Sequence, residues 1–243
     1  MFELSFLKQK IRTMKKITTL LTALCVVSSV LAQKDIKLVV AAAKAKLDIV
    51  NNYKATGRMK TNVAFLKVPI ASVTIFYKKP NKLKVKSEKG ISFIPKGAVN
   101  INMSNLTTDN NFTVIDAGTA IIAGKNMRVA KLLPNDDASD IVLSTVYIDE
   151  ASSLIYKAKT TTRDNGSYEL DMTYGKYASY ALPDKILFSF NTKDYKLPKG
   201  VTFDFETGNN PPPAPKVKNR KGTAELTISS YIINKGVSDA DLK

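Results

Sequence analysis

The chain has 243 residues, 44% of them hydrophobic and 24% charged, enough for one large all-β domain or two small ones, with a core that needs no disulfide or metal. Its net charge of +16, from 37 basic and 21 acidic residues, favours anionic partners such as nucleic acid, anionic membrane surfaces or acidic ligands, or else serves solubility alone. With no histidine and a single cysteine, Cys25, the sequence excludes Ser-His-Asp and Cys-His catalysis and zinc sites built on those residues.

Met14-Lys15-Lys16, the apolar run from Ile17 to Leu31 and the small residue Ala32 have the three-part pattern of a secretory signal peptide. The expected signal covers residues 1–32, with translation starting at Met14, Val30 and Ala32 at positions −3 and −1, and Gln33 first in the mature chain. A stretch of about 15 apolar residues falls short of the ~20 that a spanning helix requires. Leu24 stands before Cys25 where lipidation would require a small residue. Cleavage would remove five basic residues, one acidic residue and the cysteine, leaving +12. The expected location is the periplasm, and residues 33–243 are expected to form a single domain.

Asp35 to Asn52 is the expected helix. Ile36, Val39, Val40, Ala43, Leu47 and Val50 recur at spacings of three and four, with Lys37, Lys44, Lys46 and Asp48 off the stripe. From there the chain reads as successive strands: 53–63, 68–77, 82–86 and the short 91–94, then 112–115, 119–122 and 127–133. Strands follow at 141–148, 154–162, 168–174, 186–190, 201–206 and 223–233. Gly124-Lys125-Asn126 is the expected hairpin turn between two of them. Residues 208–222, rich in proline and lysine, read as a hairpin extension.

The stretch Tyr168 to Phe190 defines the problem the fold must solve. Tyr168, Leu170, Met172 and Tyr174 alternate with Glu169, Asp171 and Thr173, and Ile186, Phe188 and Phe190 alternate in the same way. Side chains of a strand alternate between faces, so these are two strands with one apolar face each. A sheet of ~8 such strands presents roughly 800 Å² on one side, whereas one helix shadows roughly 250 Å². Either the sheet closes into a filled barrel or sandwich, or part of its apolar face lines a cavity.

Several local patterns resemble one family. They are Tyr77-Lys78-Lys79-Pro80-Asn81-Lys82-Leu83, Tyr147-Ile148-Asp149 with Leu154-Ile155-Tyr156, Tyr174 with Leu182-Pro183-Asp184-Lys185-Ile186, and the ending Tyr231 to Asp239. With an exported leader, an amphipathic helix and a long antiparallel meander, the chain resembles the periplasmic lipoprotein carriers of the LolA/LolB-like superfamily. The resemblance implies an α+β fold, mostly antiparallel β. Its sheet would be a curved, unclosed half-barrel with the N-terminal amphipathic helix on the concave face. It also implies a non-enzymatic carrier or chaperone that holds acyl chains of lipoproteins or lipids for transfer to the outer membrane. Such a carrier is expected to be monomeric, to meet membrane transfer partners and to use no cofactor and no nucleic acid. The lipid-cavity candidates are Leu83, Val85, Leu170, Met172, Ile186, Phe188 and Phe190. Lys79 stands at the basic turn where the family carries a functional arginine, and lysine lacks the guanidinium fork. Lid helices between residues 98 and 140 are expected from the family but not visible in the sequence.

Other readings of the residues remain open. Asp136, Asp137 and Asp140 supply the hard oxygens calcium prefers, but without EF-hand spacing they fit a solvated loop. Glu169 and Asp171 share a strand face as an acid/base pair would, or simply form the polar face. Asn102, Asn105 and Asn111 begin glycosylation sequons, which carry the usual meaning only in some sources. Lys82, Lys84 and Lys86 present a basic strand face without any nucleic-acid motif. Lys216, Lys218, Arg220 and Lys221 suit an exposed contact to an anionic surface. A ligand-free envelope module acting through its basic surface is the main alternative to a carrier, with a carboxylate-dependent hydrolase behind both.

Overall fold

The computed structural model describes residues 34–62, 70–80, 82–87, 112–164, 166–191 and 221–242. The chain divides into two units, Met1–Asp35 and Ile36–Lys243, and every described element belongs to the second. The expected signal peptide, the expected strands at 91–94 and 201–206, the three sequon asparagines and residues 208–220 lie outside the described residues.

Among the described residues, helix α1 (Ile36–Leu47) precedes ten strands. These are β1 (Asn52–Asn62), β2 (Ala71–Lys78), β3 (Lys82–Ser87), β4 (Phe112–Ile122) and β5 (Lys125–Pro134). After them come β6 (Ile141–Asp149), β7 (Leu154–Thr162), β8 (Ser167–Thr173), β9 (Lys185–Asn191) and β10 (Lys221–Ile233). A short 3-10 turn, Ala178–Tyr180, lies between β8 and β9. All ten strands join one antiparallel sheet in the order β3-β2-β1-β10-β9-β8-β7-β6-β5-β4, and the edges β3 and β4 do not pair. The sheet is therefore open. Lys221 and Gly222, assigned from the sequence to the proline-rich extension, already belong to β10.

Register fixes which residues share a face. Ala224, Phe188, Leu170, Ala158, Val146 and Ala130 are successive partners across β10 to β5, and none is more than 7% exposed. Helix α1 lies on this face, packing against β4 to β7 and the 3-10 turn. Ile36, Val39, Val40 and Ala43 join that row, together with Met172 and Phe190, in the largest core. The same face continues through Leu226 of β10 to Met59 and Ala71 on β1 and β2, where smaller clusters form around Met59 and Val73 and around Ala55 and Ile75.

Two local expectations are corrected. Residues 112–122 form one strand rather than two, because a bulge at Asp116–Thr119 absorbs the break and Gly118 takes a φ of 78°. The hairpin turn falls at Ala123–Gly124, whose φ values of 49° and 77° match the primed turns that suit strand twist. Lys125 and Asn126, assigned to the turn, begin β5 instead.

The helix stops at Leu47, five residues before the expected end at Asn52 and three before the last residue of its apolar stripe. The Lys79 ammonium donates to the Asp48 carbonyl at 2.6 Å, and Asn234 Nδ2 donates to the Ile49 carbonyl at 3.0 Å. These distant residues take the carbonyls that a continuing helix would use. Val50, the last stripe residue, is buried against Tyr77 and Leu182 instead of extending the helical face.

On the opposite face, Lys157 of β7 bonds Glu169 and Asp171 of β8, both at 3.1 Å. The carboxylates read as a possible acid/base pair are thus held in ion pairs on the polar side of the sheet. Burial alone would lower the Lys157 pKa, but the hydrogen bonds and charges of Glu169 and Asp171 more than offset it and hold the ammonium above its ordinary 10.5. Its share of stability is then whole below pH 10.5 and lost as pH rises through the higher folded value. Lys157→Met is expected to cost about 1 kcal/mol at neutral pH. Thermal melts across the alkaline range should show the wild type losing that margin while the variant does not.

Candidate functional site

The concave apolar face has two parts. Under α1, Leu170, Met172, Phe188 and Phe190 are 1%, 5%, 2% and 4% exposed. The Phe188 ring lies 5.4 Å from that of Tyr168 and 5.3 Å from that of Phe190. These four candidates form packed core in this conformation. Ile186 is partly buried at the margin of that core, in register with both Met172 and Leu226.

Leu83 and Val85 stand elsewhere, on edge strand β3, paired with Tyr77 and Ile75. They are only partly buried, as is Leu226, beside the clusters of Met59, Val73, Ala55 and Ile75. The seven candidates therefore share one face but not one pocket. Leu83 and Val85 line the β10-β1-β2-β3 side, and the other candidates belong to the helix side or its margin.

An aromatic cluster sits at one end of the β10-β1-β2 side. Tyr53, Tyr77, Tyr177 and Tyr231 gather with Val50, Leu83 and Leu182. Tyr53 lies 5.1 Å from Tyr77 and 5.3 Å from Tyr231, and Tyr231 lies 4.9 Å from Tyr177. The Tyr231 hydroxyl donates to the Pro183 carbonyl at 2.8 Å, and its backbone N–H donates to the Tyr177 hydroxyl at 3.3 Å. Burial pushes the phenols of Tyr53 and Tyr231 well above the ordinary range, so both stay neutral. Four of the sequence patterns' residues, Tyr77, Leu83, Leu182 and Tyr231, meet here, although they lie far apart in the chain.

Lys79 closes the same end. Beyond its bond to the Asp48 carbonyl, its ammonium lies 3.3 Å from Asp48 Oδ1, while Lys44 bonds the other carboxylate oxygen, Oδ2, at 2.7 Å. Despite the desolvation that opposes it, the Asp48 carboxyl is held below its ordinary range by Lys44 and Lys79. A cation at a helix C-terminus also faces the negative end of the helix dipole. The basic turn thus ties β2 to the end of α1.

Sequence reasoning missed Arg128. It lies on β5, on the concave face with Ala130 and Leu132, with its side chain only 5% exposed. Its guanidinium bonds Asp116 at 2.6 Å and Glu150 at 3.0 Å. Strict alternation with Ala130 and Leu132 was the available signal that it points inward. Asp136, by contrast, caps its own turn through Ala138 N–H, and Arg163 bonds the carbonyls of Asp137 and Ser139. Among the described residues no group of three acidic, histidine or cysteine side chains is placed to hold a metal. None of their helices is long and apolar enough to cross a membrane.

No protein-family model matches this chain, and no curated protein does. Solved structures do. A LolA superfamily protein from Nitrosomonas europaea aligns over 87% of this chain and 98% of its own, with TM-score 0.57 and 9% identity. A DUF1329 family protein from Desulfovibrio piger covers 87% and 98%, with TM-score 0.54 and 11% identity. A domain named for outer membrane lipoprotein sorting, from Vibrio parahaemolyticus, covers 84% and 95%, with TM-score 0.51 and 11% identity.

The chain has the LolA-like open half-barrel fold. Its N-terminal helix on the concave face and its unpaired edge strands agree with what the sequence patterns implied. As to lid helices, residues 112–134 form β4 and β5, and residues 98–111 lie outside the described residues.

Proposed function

We propose that this chain is an exported, non-enzymatic carrier that shields acyl chains of lipids or lipoproteins and passes them to a membrane acceptor. The observation that carries this reading is the unequal covering of one continuous apolar face. Helix α1 packs against β4 to β7 and shares one core with the apolar residues of β8 and β9, while Leu83, Val85, Ile186 and Leu226 remain partly exposed on or beside the other side. The likeness to a LolA superfamily protein and to a lipoprotein-sorting domain supports it at the level of fold.

The cargo groove in this reading runs over β10-β1-β2-β3, with Leu83 and Val85 on its lip and Ile186 where it meets the helix-covered core. Leu170, Met172, Phe188 and Phe190 become available only when α1 moves. Burying about ten methylenes gains about 8 kcal/mol, the scale of a micromolar dissociation constant before ordering costs. Release then requires an acceptor with a better apolar site or closure of α1 over the groove. The carrier acts as a monomer, in the periplasm, without cofactor or nucleic acid.

Titration of the purified protein with a fluorescent fatty acid, displaced by a diacylated lipopeptide, tests the reading. Saturable one-to-one uptake and full displacement are expected. Uptake that a lipopeptide cannot displace would overturn lipoprotein cargo, and no uptake at all would count against any acyl cargo. Lys79→Met releases one tie on α1 and is expected to cost about 0.3–1 kcal/mol of stability. In the same assay it should speed probe exchange severalfold, as read by stopped-flow displacement.

A further inference from the structure

The convex side of β1 to β3 carries a basic surface that the carrier reading does not use. Alternation and register place Lys54, Arg58 and Lys60 of β1, Lys78 of β2, and Lys82, Lys84 and Lys86 of β3 on that side. Neighbouring strands lie about 4.8 Å apart and same-face residues about 7 Å apart along a strand, so these cations form a grid rather than a groove. The chain's own C-terminal tail crosses this grid. It leaves β10 through Asn234 and Gly236, which bond the Asn52 backbone and side chain. Asp239 then lies 3.2 Å from the Lys78 ammonium and 3.6 Å from that of Lys82, and Val237 is buried. The Asp241 carboxylate bonds Ser238 and feels the charges of Lys86 and Lys54.

We infer that this face docks on an anionic lipid bilayer, and that the tail carboxylates of Asp239 and Asp241 occupy part of it as an internal competitor. Three features favour a bilayer over other polyanions. Six of the seven cations are lysines, point charges suited to a diffuse anionic plane rather than to bidentate recognition of one partner. Phe76, in register with Lys54 and Lys84, is 7% exposed beneath the ammonium groups of Lys54 and Lys86, and so cannot stack bases as single-stranded nucleic acid would require. Ile232, the partner of Lys54 on the same face, is 53% exposed and supplies an apolar contact beside the charges. The inference rests on different residues from the cargo groove and stands or falls without cargo.

Sedimentation of the purified full chain with phosphatidylcholine vesicles, with and without phosphatidylglycerol, tests it over rising sodium chloride. Binding is expected only to the anionic vesicles, falling steeply with salt. The triple variant Lys54→Glu, Lys84→Glu, Lys86→Glu should weaken it about tenfold or more. Asp239→Asn with Asp241→Asn should strengthen it severalfold, and Lys131→Glu with Lys159→Glu, elsewhere on the convex side, should leave most of it. Equal binding to neutral vesicles, salt-independent binding, or a triple variant that binds as well as wild type overturns the docking face. An unchanged Asp239/Asp241 variant overturns the competitor role. Tighter binding to a duplex oligonucleotide than to anionic vesicles at the same salt assigns the face to nucleic acid instead. If the triple variant does not fold, the lipid-charge and salt dependence of the unaltered protein decides.

Discussion

Phe188→Ala is expected to destabilise the protein by about 3–5 kcal/mol while leaving acyl-probe affinity within about threefold of wild type. Phe188 is 2% exposed, its ring touches those of Tyr168 and Phe190, and its backbone partners Leu170 and Ala224 are themselves buried. The loss combines the transfer free energy of the ring with the cavity it leaves beneath α1. Urea unfolding gives the stability term, and probe titration under strongly native conditions gives the other. Weaker binding by more than tenfold with unchanged stability would mean that cargo, not α1, normally fills the space around Phe188.

Val85→Asp should do the reverse. Val85 is only partly buried on an edge strand, opposite Ile75, so water can reach the new carboxylate in the empty protein and stability should fall by no more than about 1 kcal/mol. An acyl chain laid on β3 would have to desolvate that charge, costing about 2 kcal/mol or about thirtyfold in affinity. Thermal melting and probe titration of the same preparation separate the two effects. Together the two substitutions distinguish a packed half from a receiving half of one face. Unchanged affinity in Val85→Asp would remove β3 from the groove.

The sequence made much of this sheet legible because alternation is a local property. Tyr168 to Tyr174 alternates strictly, Ile186 to Phe190 alternates after the link 175–184, and the two strands pair as that pattern requires, with Leu170 opposite Phe188 and Met172 opposite Ile186. The estimate that one helix cannot cover such a face also agrees with the open sheet. Apart from the bulge at Asp116–Thr119 and the turn at Ala123–Gly124, the differences arise where distant residues decide a local outcome. The stripe through Val50 is genuine burial, but its partners are Tyr77 and Leu182, and the backbone is redirected by Lys79 and Asn234. The division of the candidates has the same origin, because α1 chooses one side of the sheet and strand order is not written in any single strand. Arg128 was overlooked because its acids, Asp116 and Glu150, are contributed by a bulged strand and a turn. The convex basic grid needed the β1-β2-β3 register, since Lys54 and Lys84 become neighbours only through Phe76.

Whether the concave face carries acyl chains is tested most directly by mass spectrometry of the protein purified from its native source. Spectra are taken first intact and then after solvent extraction. The half-barrel reading predicts one acyl lipid or lipoprotein bound per chain, released by solvent and reduced in Val85→Asp. A protein that emerges empty, and that also refuses a fluorescent fatty acid, would contradict it.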